Sequence, residues 1–381
     1  MAYTATAIND LLERILKQID ISETMFQKAN DGYHSLSAWI NEHSDDYAIA
    51  IYPQGSFALG TVIKPITDLD DYDLDLVCEF SQQYALTAKQ LKIDVVKPWL
   101  IKYRKVNGEI ENKRRCWHVE YEDLPNFHMD IIPAYYAGPI IQITNHNEVT
   151  DTYSYIGSNP KGYIDWFFQK CSSQWEKLYK KYQCNNGVLK ASADVETLDR
   201  YRVKTTLQKA IQLLKRHRDI MFSKSPECKP ISILITTIAA ELYKNEDDVL
   251  TAVESILSSA QMYIQQHKIG DEYFIENPSY PGENFADKWN THPERLQTFI
   301  RWLTQAKHDL SREHLMCMDR LAIGQSLKHS FGENVGRKVF AELAKEEENA
   351  ITSGIMRIDP NEGSLSKKGT VAIPANRHYH G

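Results

Sequence analysis

The chain has no closely paired cysteines. Its six, at positions 78, 116, 171, 184, 228 and 317, stand far apart with no C-x-x-C spacing. That excludes a zinc ribbon and a tight disulfide frame, and suits free thiols in a reducing, cytoplasmic setting. Long apolar runs are also missing. The longest, from Ile231 to Leu242, carries three hydroxyl residues and is too short to span a bilayer. The first residues lead into an amphipathic helix and not into a signal peptide, so a soluble protein with no membrane partner is expected. Positive charge is not in excess. A formal charge of −7 argues against a long nucleic acid as main ligand, because tracking phosphates needs a basic face. Local basic groups, Lys113-Arg114-Arg115 and Lys215-Arg216-His217-Arg218, leave room for a small anion. Glycine and proline are sparse, at 17 and 14, and no repeat or low-complexity segment occurs, so most of the chain can bury a core.

A length of 381 residues suits two domains and a tail. Apolar residues at helical spacing predict helices over 7–20 and 22–43, the second long enough to act as a spine. Strands are expected at 47–52, 72–78, 116–121, 127–132 and 139–144, with a helix at 87–104. A glycine-rich turn leads into a short helix over 57–62, stopped before Pro65. Another helix is expected over 163–181, with Trp166, Phe167 and Trp175 as core anchors. From Asp199 the pattern turns helical, at 199–221, 230–243, 247–267, 294–308 and 335–349. A polar break at 184–193 suggests domains over 1–190 and 191–350. Residues 351–381 lack apolar periodicity and read as a flexible tail.

The chemistry concentrates at Asp73-Leu74-Asp75. In a strand, side chains two apart share a face, so both carboxylates project one way and Leu74 and Leu76 the other. Two neighbouring anions repel, and nothing nearby in sequence neutralises them. A divalent cation between them would. A third strand-borne acid, Asp130, follows in Phe127-His128-Met129-Asp130-Ile131-Ile132. Upstream, Gly55-Ser56 precedes a helix start. Glycine admits close approach of the backbone to a phosphate, and the serine hydroxyl and following amides can donate to it. The same dipeptide is also an ordinary helix cap.

Gly55-Ser56-Phe57-Ala58-Leu59-Gly60-Thr61, Asp73-Leu74-Asp75 and Met129-Asp130-Ile131-Ile132-Pro133 together resemble the cGAS/DncV-like nucleotidyltransferases of bacterial CBASS anti-phage defence. Leu213 to Asp219 and the stretch Asn277 to Trp289 strengthen the likeness, which covers roughly residues 45–300. The resemblance implies an α+β fold: a polymerase-β-like core of mixed sheet and helices, a C-terminal helical lobe, and the active site in the cleft between them. It implies condensation of ribonucleoside triphosphates into a cyclic di- or trinucleotide, with pyrophosphate released and an effector downstream of the product. Two Mg²⁺ ions, replaceable by Mn²⁺, are implied on Asp73, Asp75 and Asp130. Asp73 and Asp75 would hold the ion on the donor triphosphate, and all three acids the ion that lowers the pKa of the attacking hydroxyl.

The resemblance further implies a lysine and a serine of the helical lobe on the donor phosphates, matched here by Lys215 and Ser232. Lys215 could equally be a solvated helix-face lysine, and Ser232 a cap following Pro230. Asn284 and Asp287 either approach a base or build a turn. Gly381 either is joined to targets by an accessory ubiquitin-transfer-like enzyme or simply ends the chain. No Cys/His zinc insertion is present, so DNA sensing like that of the animal homologue is not implied. Two competing readings stand beside the synthase: addition of a nucleotide to RNA or protein, and a catalytically inactive nucleotide-binding regulator.

Overall fold

The alternation of the sequence becomes a seven-stranded mixed sheet. The structure, a computed structural model, describes residues 3–44, 47–67, 72–81, 84–103, 110–120, 127–186, 203–355, 357–359, 364–366 and 371–372. The strands are β1 (Ile49–Pro53), β2 (Tyr72–Phe80), β3 (Glu111–Asn112), β4 (Trp117–Glu120), β5 (Phe127–Ala137), β6 (Ile140–Asn147) and β7 (Thr152–Ser158). They run in the order β1-β2-β5-β4-β3, while β6 joins the later part of β5 and carries β7. Among the described residues only β2 and β5 pair in parallel; the other pairs of this sheet are antiparallel. Along one side of β5 the partner changes from β4, paired up to Ile131, to β6, paired from Ala134. Pro133 falls at this switch, where a residue without an N–H costs least.

On one sheet face Leu74, Leu76, Cys78 and Phe80 pack with Met129 and Ile131 against helix α2 (Glu23–His43). That helix buries Phe26, Ala29, Leu36 and Ile40, residues at helical spacing. The opposite face carries Asp73 and Asp75, followed by Val77, which packs with Ile132. The helix expected as a spine between two lobes, α2, is thus seated on the sheet.

Helix α1 (Ala5–Ile19) behaves differently. Ile8, Leu11, Leu12, Ile15 and Ile19 are buried in a core shared with residues 207–339, so the first helix packs into the helical lobe and not with the sheet. The domain expected over 1–190 thus loses its first helix to the lobe. The reason is chemical: α1 has one apolar stripe, and the lobe provides the matching apolar faces. The polar break at 184–193 lies mostly outside the described residues.

The helix expected over 163–181 is two, α3 (Pro160–Lys170) and α4 (Ser172–Asn186), interrupted at Cys171. Phe167 is fully buried and Trp175 only partly. The lobe proper contains α5 (Thr206–Met221), α6 (Ser232–Leu242), α7 (Val249–Gln266), α8 (Pro293–Asp309) and α9 (Glu333–Thr352). A hairpin of Glu276–Asn277 and Tyr280–Asn284 docks back on the sheet domain. There Ser279 Oγ donates to the Asn159 carbonyl, and Asn159 Nδ2 returns a bond to the Ser279 carbonyl at 2.7 Å. β7 and the helices Arg312–Met316 and Arg320–Phe331 were not expected from the sequence. Beyond α9, residues 357–359, 364–366 and 371–372 pair into a three-stranded antiparallel ribbon, in a segment read as having no regular structure. Among the described residues no helix is long and apolar enough to cross a membrane.

Candidate active site

The period of two places Asp73 and Asp75 on one face of β2, and the parallel register sets Asp75 beside Asp130 and Asp73 beside His128 on β5. Antiparallel β4 then places His118 opposite Asp130. The three acids expected from the sequence are therefore brought together, on the face away from the hydrophobic core. Asp73 is exposed and Asp75 partly covered. Burial first, then the charges of Asp73 and Asp130, push the Asp75 carboxyl far above its ordinary range, to about 8. The Lys215 charge pulls the other way but does not outweigh them, as expected of anions gathered with too little counter-charge. Carboxylate oxygens are the donors a hard divalent cation prefers, so these residue types fit the implied metal.

Gly55 is tied directly to this cluster. Its φ is +61°, and a Cβ added there would lie 2.3 Å from Asp75 Oδ2. Both the backbone conformation and the close approach demand glycine. The preceding Gln54 N–H donates to the Asp75 carbonyl at 2.9 Å, which fixes the turn against β2. Ser56 follows, partly exposed, in the single helical turn Gly55–Ala58.

The loop after this turn is held by α5. Gln208 Nε2 donates to the Leu59 carbonyl at 2.9 Å, and Gln212 Nε2 to that of Val62 at 2.6 Å. Lys215 Nζ donates to the Thr61 carbonyl at 2.9 Å, and Arg216 to the carbonyl of Lys64. Lys215 is only 5 % exposed, so its alternative as a solvated helix-face residue is excluded. Burial, followed by the nearby Arg218 charge, pushes its ammonium down to about 8, against the pull of Asp73 and Asp75. Lys215 thus sits within the electrostatic reach of the acids.

The remaining expected residues are placed less simply. Ser232 is the first residue of α6, not its cap, and its hydroxyl accepts from Arg218 Nη1 at 2.8 Å. Asn284 Oδ1 accepts from Ile275 N and Ala286 N, and its Nδ2 donates to the Tyr273 carbonyl. Of its two alternatives this is the structural turn. Asp287 is exposed at the start of the short helix Asp287–Thr291, where its charge acts on Arg115. Gly381 lies outside the described residues. The sequence reading missed Gln208, Gln212 and Arg216, whose spacing of four marks one helix face, and His118, whose role appears only through register.

The comparisons with known proteins agree with this geometry. Residues 49–135, which span β1 to β5, match the family described as "Cyclic GMP-AMP synthase DncV-like, nucleotidyltransferase domain". Over these residues the chain is similar to the cGAS/DncV-like nucleotidyltransferases. It is 29 % identical over 324 residues to a c-di-GMP synthase of Roseivirga ehrenbergii, covering 81 % of each chain. The solved structure of the CD-NTase CdnG of Bradyrhizobium diazoefficiens in complex with GTP superposes with a TM-score of 0.70 at 22 % identity, covering 89 % of this chain and 98 % of that one. Vibrio cholerae DncV, solved with the linear intermediate 5′ pppA(3′,5′)pG, superposes at 0.53 with 14 % identity, covering 86 % of each chain. The α+β fold, with its mixed sheet and following helical region, is that of these solved nucleotidyltransferase structures.

Proposed function

We propose that this enzyme condenses ribonucleoside triphosphates into a cyclic dinucleotide with release of pyrophosphate. The observation that carries the reading is the registration of Asp75 beside Asp130 with the Gly55 backbone packed against Asp75. A phosphate-approach turn and a three-carboxylate cluster are thereby joined in one site. Asp73, Asp75 and Asp130 would hold divalent cations, Mg²⁺ or Mn²⁺, which supply charge neutralisation at the donor triphosphate and a lowered pKa for the attacking hydroxyl. Gly55 leaves room for the phosphates, and Ser56 offers a hydroxyl to them. Lys215, positioned by its own bond to the Thr61 carbonyl, adds positive potential behind the turn. A relative named as a c-di-GMP synthase and a structural neighbour solved with GTP support a guanine-containing product.

Incubating the pure protein with the four ribonucleoside triphosphates, singly and mixed, with Mg²⁺ or Mn²⁺ tests this. A phosphatase-resistant small product that requires GTP is expected. Label on RNA or protein would favour transfer to a macromolecule, and absence of turnover an inactive regulator. The anti-phage role, signalling through an effector, and conjugation of Gly381 by a ubiquitin-transfer-like enzyme are further parts of the proposal, supported by the family likeness. Deleting Gly381 alone should block conjugates in cells and spare activity in vitro.

A further inference from the structure

The sheet face that bears the acidic triad continues with nitrogen donors. His128 and Asp130, two apart on β5, share that face, and His118 on β4 is registered opposite Asp130. One donor atom from each of the three lies within 4.8 Å of the others. His118 Nδ1 is 2.9 Å from Asp130 Oδ1, and the two imidazole centroids are 4.1 Å apart. All three residues are partly exposed, so an ion from solvent can reach them. The Cys116 thiol also interacts with Asp130.

Two ligands two apart on one strand and a third from the adjacent strand, with solvent on the open side, suit a four-coordinate cation. Imidazole nitrogen favours Zn²⁺ and Co²⁺, whereas Mg²⁺ prefers oxygen and keeps its waters. The face therefore has an all-oxygen half, Asp73 with Asp75, and a nitrogen-rich half, His118 with His128. Asp130 belongs to both.

We propose that His118, His128 and Asp130 bind a borderline divalent cation of the Zn²⁺ class, and that an ion there draws Asp130 away from the acidic triad and inhibits nucleotide transfer. The inhibitory half rests on the synthase reading; the binding half does not. Occupation of the two halves is competitive because one carboxylate serves both.

The test uses Co²⁺ as the spectroscopic probe, titrated into the full-length protein after chelator treatment. Intense visible d–d bands from a four-coordinate site are expected, saturating at one equivalent. An all-oxygen, six-coordinate site would give only weak bands. His118→Asn and His128→Asn should each weaken this Co²⁺ binding by about tenfold or more. Each variant, relative to its own uninhibited rate with Mg²⁺, should also need about tenfold more Zn²⁺ for half inhibition. Co²⁺ bands and affinity unchanged in both variants would overturn the proposal, as would Zn²⁺ inhibition that both retain in full. Circular dichroism checks the fold, and if His118→Asn does not fold then His128→Asn decides. Lack of any cyclic product under every metal would sink the synthase reading, while the Co²⁺ titration would still decide the binding site.

Discussion

The β2–β5 face and the inner face of α5 are both lined with polar side chains, yet they are built on opposite principles. On the sheet, Asp73, Asp75 and Asp130 converge with like charge, and Asp75 is forced far above its ordinary ionisation range. On α5, Gln208, Gln212, Lys215 and Arg216 each find a carbonyl in the loop over residues 59–65. The first face is frustrated alone and would gain by binding a cation. The second is answered by the chain's own carbonyls and holds the loop after the Gly55-Ser56 turn in place. Buried polarity therefore has two meanings, and the distinguishing test is whether partners within the chain already answer it.

The largest expected effect falls on the frustrated face. Asp75→Asn should lower turnover by about a thousandfold or more, since losing a metal ligand forfeits several kcal/mol and each ~1.4 kcal/mol is tenfold. Without added metal the same variant should melt no lower than the parent, because the repulsion raising Asp75 is removed. A clear fall in melting temperature would show that the acids are structural, like the α5 ladder, and erase the contrast.

Gly55→Ala joins the two regions. A side chain there meets Asp75 Oδ2 and must adopt φ +61°. A stability loss of roughly 1–2 kcal/mol is expected from the left-handed conformation, together with about a hundredfold fall in turnover from displacing the carboxylate. Steady-state kinetics alongside denaturant unfolding would read both. Wild-type kinetics would mean that the turn does not shape the site.

Lys215→Ala and Gln212→Ala sharpen the comparison within α5. Lys215→Ala should weaken binding of a non-hydrolysable triphosphate by about tenfold to a hundredfold, as for a lost charged hydrogen bond. Gln212→Ala should leave that affinity nearly unchanged and cost about 1–3 kcal/mol of stability by stranding the Val62 carbonyl. Equal effects on triphosphate binding would show that the whole ladder, and not Lys215 alone, serves the phosphates.

A smaller, pH-dependent effect is expected in the lobe. Burial opposes ionisation of Asp309, but hydrogen bonds from His217, His308 and Gln305 outweigh it and hold the carboxyl below its ordinary 3.8. A depressed folded value means stability that is present above the unfolded pKa and lost as pH falls below it. Asp309→Asn should therefore lower stability at pH 7 and flatten the acid-side loss below about pH 4. Parallel acid unfolding curves for parent and variant would refute this assignment.

The sequence by itself determined the sheet's chemical face. Strict alternation in Asp73-Leu74-Asp75-Leu76 leaves one way to bury the leucines, and that way exposes the acids together. The Gly-Ser turn before it and the helical stripes of α1, α2 and α5 were legible for the same local reason. What local pattern cannot state is which face meets which. The tertiary structure alone placed α1 in the helical lobe, because an apolar stripe specifies burial but not its partner. It also spent Asn284 on a turn and Ser232 on Arg218, and turned the α5 side chains into donors to the carbonyls of a loop some 150 positions earlier. His118 entered the site only through strand register, a long-range pairing that neither residue type nor spacing encodes.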